Sequence, residues 1–278
     1  MNRYLKLVHM EIHRFRYILA ALLGFVVLVQ WGALVWSART MLAQLGEFEK
    51  YNTGFHTALA DHRISYAEAI YRAQFFYSTP VIAVICSLGI YILFIWYRDW
   101  LGRNTFIYRL LILPSARSSI YLSKLSAFLV FVFAALAFQA LALAIGSLIF
   151  GAVVPGDRQA DSYFVDIVDA TRVLEYLMPK KLADFALNYG LGIVAVLVVF
   201  TAIIIERSYR WPGIAYALGY LLACTAAAVI PILWMGMYRE GAYLYKEEIV
   251  SIELAILFVI AGLSVWLGCR LLRRKITV

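Results

Sequence analysis

Hydrophobic positions along the chain gather into six long blocks, at roughly 17–36, 75–97, 120–150, 189–205, 211–237 and 249–272, with polar positions concentrated between them. A helix needs about 20 mostly apolar residues to cross a bilayer. The pattern therefore predicts an all-α polytopic membrane protein with six transmembrane helices. The fourth block is short. The third is long enough to tilt or to project beyond the bilayer.

The stretches between the blocks have their own periodicity. In residues 1–16, Leu5, Val8, Ile12 and Phe15 recur at helical spacing, with Arg3, Lys6, His13 and Arg16 as polar neighbours. That spacing predicts an amphipathic helix lying in the membrane interface before span one. Residues 37–74 read as an outer loop. Residues 151–188 read as a second one, containing an amphipathic helix built on Phe164, Ile167, Val168, Leu174 and Leu177 and ended by Pro179. Residues 206–210 make a tight turn between spans four and five. Pro212 suits the first turn of span five. Pro231 should kink or break that span, and 231–245 is the candidate for a re-entrant element. The 278 residues form one transmembrane domain on this reading.

Charge orients the bundle. Sixty-four per cent of the residues are hydrophobic, 15% are charged, and the net charge is +8. In a membrane protein the basic excess reports topology rather than nucleic-acid binding, because cytoplasmic loops collect Lys and Arg. With the N-terminus inside, the inner segments hold Arg3, Lys6, Arg14, Arg16, Arg98, Arg103, Arg109, Arg117, Lys124, Arg207, Arg210, Arg270, Arg273, Arg274 and Lys275. Their only acids are Glu11, Asp99 and Glu206. This predicts N-in and C-in. The aromatic residues at span ends, such as Trp36, Tyr97, Trp100 and Trp211, read as interfacial anchors. Cys86, Cys224 and Cys269 fall inside apolar blocks and read as small buried side chains. The first block reads as a retained span rather than a signal peptide.

Catalytic patterns are missing. "HMEIH" (9–13) puts two histidines four apart, but the zincin motif H-E-x-x-H needs its Glu directly after the first His. His56 and His62 lie in the first outer loop. Glu247–Glu248 lack the Arg and intramembrane His of a membrane glutamic protease. An ion-coupled carrier would place acids near the midplane. Here Glu253 lies only about one turn into span six, and Gln139 reads as a helix–helix hydrogen bond. No G-x-x-x-x-G-K-[ST] loop is present. If the chain transports, ATP must be hydrolysed on another subunit. The chain itself is not expected to be an enzyme and holds no catalytic, cofactor or metal residues; ATP and magnesium would sit on the partner.

One stretch asks for such a partner. "YRDWLGRNTFIYRLLILPSARSSIYLSKL" (97–125) joins spans two and three and is longer than the five or so residues a turn requires. Leu101, Phe106, Leu110 and Leu113 fall near one helical face. Pro114 breaks that helix, and Ser115 or Ser118 can cap the next. Residues 98–113 thus read as a short helix across the inner face of the bundle, within a segment 98–119 that is joined to spans two and three. The plainer alternative is a basic interfacial loop that only fixes topology.

The stretch resembles the segment after span two in ABC-2-type permeases, the membrane halves of ABC exporters. The features that carry the resemblance are Asp99, where the family often has Glu, Gly102, the pair Leu110–Leu111, Pro114, Arg117 and Lys124. The six-span layout and basic N-terminal helix are similar too. The resemblance implies a coupling helix that enters a groove on an ATPase, with Asp99, Gly102, Arg109, Leu110, Leu111, Pro114, Arg117 and Lys124 as coupling residues. It implies ABC ATPase subunits and a second permease half as partners in a lipid membrane, with no nucleic acid. It implies export of an amphipathic, lipid-like, peptide or antibiotic substrate, across a cell (plasma) membrane, most often bacterial. The competing reading is a non-ABC membrane protein, either an ion-coupled carrier or a membrane sensor or assembly factor.

Overall fold

The computed structural model describes residues 3–51, 63–101, 117–209, 211–237 and 246–274. Among these are nine α-helices, of which six are long and apolar enough to cross a membrane. The chain is an all-α polytopic membrane protein. The spanning helices are α1 (Arg3–Tyr51), α3 (Gln74–Leu101), α4 (Arg117–Val153), α7 (Leu182–Tyr209), α8 (Gly213–Met237) and α9 (Lys246–Arg274). Three short helices lie between them: α2 (Tyr66–Arg72), α5 (Phe164–Asp169) and α6 (Arg172–Leu177). The chain packs as two compact units.

The segment expected to lie in the interface is continuous with span one in a single helix of 49 residues. At 1.5 Å per residue that rod is about 70 Å long, more than twice a hydrocarbon core. No proline interrupts it. It also runs on through the first part of the expected outer loop. The reason is packing: Ala33, Leu34, Ala38 and Met41 are buried, and Leu42 and Leu45 pack against the same cluster. Ser37, Arg39, Thr40 and Gln44 mask that stripe in a hydropathy reading. The buried face at the start also differs from the expected one. Leu7, Glu11 and Phe15 are buried, whereas Leu5 is half exposed.

The second unit comprises Phe15–Ser87 and Phe131–Lys180. Its core cluster joins α1 to α2, α4, α5 and α6. A two-residue parallel ladder pairs β1 (Ile64–Ser65) with β2 (Gln159–Ala160). Ser65 caps α2 by accepting from Glu68 N at 3.0 Å. The Tyr66 hydroxyl donates to the Leu143 carbonyl at 3.1 Å. A Cβ at Gly146 would lie 2.4 Å from that hydroxyl, so glycine lets α2 approach α4. Gln139 exchanges amide contacts with Gln30 at 3.2 and 3.5 Å. The predicted outer amphipathic helix is two helices, because Thr171 restarts it by accepting from Leu174 N.

The first unit comprises Met1–Arg14, Leu88–Val130 and Lys181–Val278. Here α7 packs against both α8 and α9, and it is the most buried span. It starts about two turns before the predicted block. Pro231 lies inside α8 without ending it; 231–237 of the proposed re-entrant element is helix, and 238–245 lies outside the described residues. At the α7–α8 turn, a Cβ on Gly213 would lie 2.3 Å from the Glu206 carbonyl oxygen. Replacing Gly213 with Ala should therefore force the turn open and cost about 1–3 kcal/mol. Thermal unfolding in detergent measures this, and an unchanged Tm would rule the contact out.

Candidate functional site

The first unit contains a buried ionic network. Helix α1 contributes Glu11 and Arg14, the last turn of α3 contributes Arg98 and Asp99, and the early part of α4 contributes Lys124. Glu11, Asp99 and Lys124 are each about 1% exposed. An unpaired charge in such a place costs several kcal/mol, so the partners decide whether the site is tenable.

The lysine and both carboxylates are fully partnered. An ammonium has three N–H groups and no acceptor. Those of Lys124 meet Asp99 Oδ2 at 2.5 Å, the Ile95 carbonyl at 2.7 Å and Glu11 Oε1 at 3.0 Å. The other carboxylate oxygens are also reached. Glu11 Oε2 accepts from Arg98 Nη2 at 2.8 Å, and Asp99 Oδ1 accepts from Arg14 Nη1 at 3.2 Å. The two arginine side chains are about a third exposed and close the network at its accessible edge. With two carboxylates and three bases the network carries a formal charge of +1.

Aromatic packing holds Lys124 from the other side. Its Nζ stands 5.3 Å from the Trp96 ring centroid, a cation–π distance. Trp96, Tyr121 and Phe200 form a triangle with centroids 5.7 to 6.3 Å apart. The Tyr121 hydroxyl donates to the Leu197 carbonyl at 3.3 Å, and Thr201 Oγ1 donates to the Ser264 carbonyl at 3.0 Å. A chain of side chains thus links α3 and α4 to α7 and α9. Tyr97 adds a second link by donating to the Glu206 carboxylate near the end of α7.

No family model, curated protein or solved structure matches the chain.

The residues singled out in the sequence fall into three groups. Asp99 and Lys124 meet in one ion pair. Arg117 stands apart from it: its Nη1 donates to the carbonyls of Leu272 and Arg273 at 3.2 and 3.4 Å, capping the end of α9. Gly102, Arg109, Leu110, Leu111 and Pro114 lie outside the described residues. Glu11, Arg14 and Arg98 were missed. One signal was available: Glu11 is the only acid in the N-terminal segment, and it falls four residues from both Leu7 and Phe15, on their face. His9 and His13 lie on the exposed side of α1 with ring centroids 6.3 Å apart.

Chemically the network is a clamp rather than a reactive centre. Every oxygen and every ammonium hydrogen is already committed. What it can do is hold α1, the end of α3 and the start of α4 in one arrangement, at the two roots of the segment 102–116.

Proposed function

We propose that this chain is the membrane-spanning permease subunit of an ATP-driven exporter of the ABC-2 type. On this reading a separate ATPase hydrolyses ATP and docks on the segment 102–116 from the cytoplasm. A second permease half, identical or homologous, completes the path for an amphipathic, lipid-like, peptide or antibiotic substrate. The observation that carries the reading is the Glu11–Lys124–Asp99 clamp. It ties both roots of the connecting segment to each other and to α1. Force applied to the segment would reach spans one, two and three together, where an untethered loop would absorb it. The length of the segment and the proline at position 114 in its sequence support the same reading.

Purification from native cells in mild detergent tests it. A stoichiometric partner bearing a phosphate-binding G-x-x-x-x-G-K-[ST] loop is the expected result; its absence, under conditions that preserve other ATP-driven transporters, would sink the proposal. Variants sharpen the test. Leu110→Asp with Leu111→Asp should leave the protein inserted and the ATPase active while export falls by at least about tenfold, the equivalent of about 1.4 kcal/mol of lost coupling. Normal export with normal ATPase association would count against docking at this segment.

A further inference from the structure

Glu253 is used by neither the clamp nor the proposed coupling. It lies in α9, inside a candidate span, and is 3% exposed. Neither carboxyl oxygen has a hydrogen-bond partner among the described residues. Carboxylates in such positions are otherwise paired, hydrogen-bonded or neutralised.

Its surroundings follow from the packing of the first unit. Helices α8 and α9 run antiparallel, and the Tyr220 hydroxyl sits 2.7 Å from Ser264 Oγ. Counting equally back along α9 and on along α8 sets Glu253 level with Pro231, which has no N–H to donate. Helices α7 and α9 run parallel, and Gly190 lies beside Leu254. The residues of α7 at the level of Glu253 are therefore Tyr189 and Gly190. One turn further along α9, Leu257 packs into an apolar cluster with Val194, Val198 and Ile260, flanked by Leu187 and Ala228.

Among the described residues, no cation on the facing stretches of α7 and α8 answers the carboxyl. Helix α7 has no Lys, Arg or His between Leu182 and Ile205, and α8 has none from Gly213 to Met237. The titratable groups on these stretches are Asp184 and Tyr189 on α7 and Tyr216, Tyr220 and Cys224 on α8, none of which is basic; Glu206, Arg207 and Tyr209 lie at the far end of α7. On α9 itself Glu248 lies five residues away and Lys246 seven, at the start of the helix.

We infer that Glu253 is a proton-binding site within the membrane. In the resting protein the side chain is a neutral carboxylic acid seated in the α7–α8–α9 seam. Its proton leaves to water, and the carboxylate forms, only when that seam admits water or a compensating cation. The inference does not depend on how transport is energised.

A lipophilic carbodiimide tests this directly. Dicyclohexylcarbodiimide adds to a protonated carboxyl: the acid proton moves to a carbodiimide nitrogen, a carbon–oxygen bond forms, and rearrangement leaves a stable N-acylurea that peptide mass spectrometry locates. With the full chain in lipid nanodiscs, the adduct is expected on Glu253. It should be absent in Glu253→Gln and absent on Glu11, whose oxygens are held by Lys124 and Arg98. Above the titration midpoint of the site, labelling should fall about tenfold per pH unit, following the protonated fraction. A water-soluble carbodiimide should label Glu253 far more weakly. Thermal unfolding supplies the second readout. Glu253→Gln, a neutral isostere, should match or exceed the wild-type Tm. No adduct on folded protein, or a Glu253→Gln variant that unfolds at lower temperature, would show instead a carboxylate paired with a base such as Lys246, and would overturn the inference.

Discussion

Lys124→Met is expected to be among the most damaging single substitutions in the chain. It removes three hydrogen bonds at once and leaves Glu11 and Asp99 buried side by side. Breaking a buried pair by deleting one partner costs about 3–5 kcal/mol, because the remaining charge is left without compensation. Here two like charges remain, covered only by the guanidinium groups of Arg14 and Arg98, each about a third exposed. Thermal unfolding in detergent should show a large drop in Tm. Lys124→Arg should not restore it, since a planar guanidinium carries five donors where three acceptors wait. Adding Glu11→Gln and Asp99→Asn to Lys124→Met should recover much of the loss, because a neutral core of similar volume often matches a buried ion network in stability. A wild-type Tm for Lys124→Met alone would mean that the network is not closed in the membrane.

Trp96→Ala should have a loss of the same order, from a different cause. Trp96 is fully buried and packs against the rings of Tyr121 and Phe200. Truncating a buried aromatic to Ala costs about 3–5 kcal/mol through lost contacts and the cavity left behind. The same change removes the ring that faces Lys124, so the clamp loses its apolar backing. Trp96→Phe should recover more than half of the loss, as measured by the same unfolding experiment. The pair Trp96→Ala and Lys124→Met should be non-additive, because the two side chains touch. Strict additivity would argue that ring and ammonium act independently.

How legible was this in the sequence? The six spans were, because a bilayer demands long apolar blocks and nothing else in the chain imitates them. Helix ends were less so. By hydropathy span one ends at Trp36, yet α1 continues to Tyr51 on a one-sided apolar stripe that average hydropathy dilutes. The pattern predicts one outer helix where Thr171 makes two, because apolar spacing carries across a cap. At the site, Asp99 and Lys124 stood out as charges at span edges, but their meeting is a tertiary fact that linear spacing does not contain. Glu11 was visible only as a lone acid among bases. The same spacing that should have placed it inward was assigned to Leu5, Val8 and Ile12, one face away. Glu253 was read as near enough to the interface to reach water; its burial depends on how α7 and α8 pack around it.

The clamp also bears on how this sequence can change over generations. Each of its acceptor oxygens is held by a particular donor, and each ammonium hydrogen by a particular acceptor. A single substitution at Glu11, Asp99 or Lys124 strands a partner, whereas a compensated set need not. Drift at these positions is therefore expected to be gated: a variant that loses one member should fold poorly until its partners change with it.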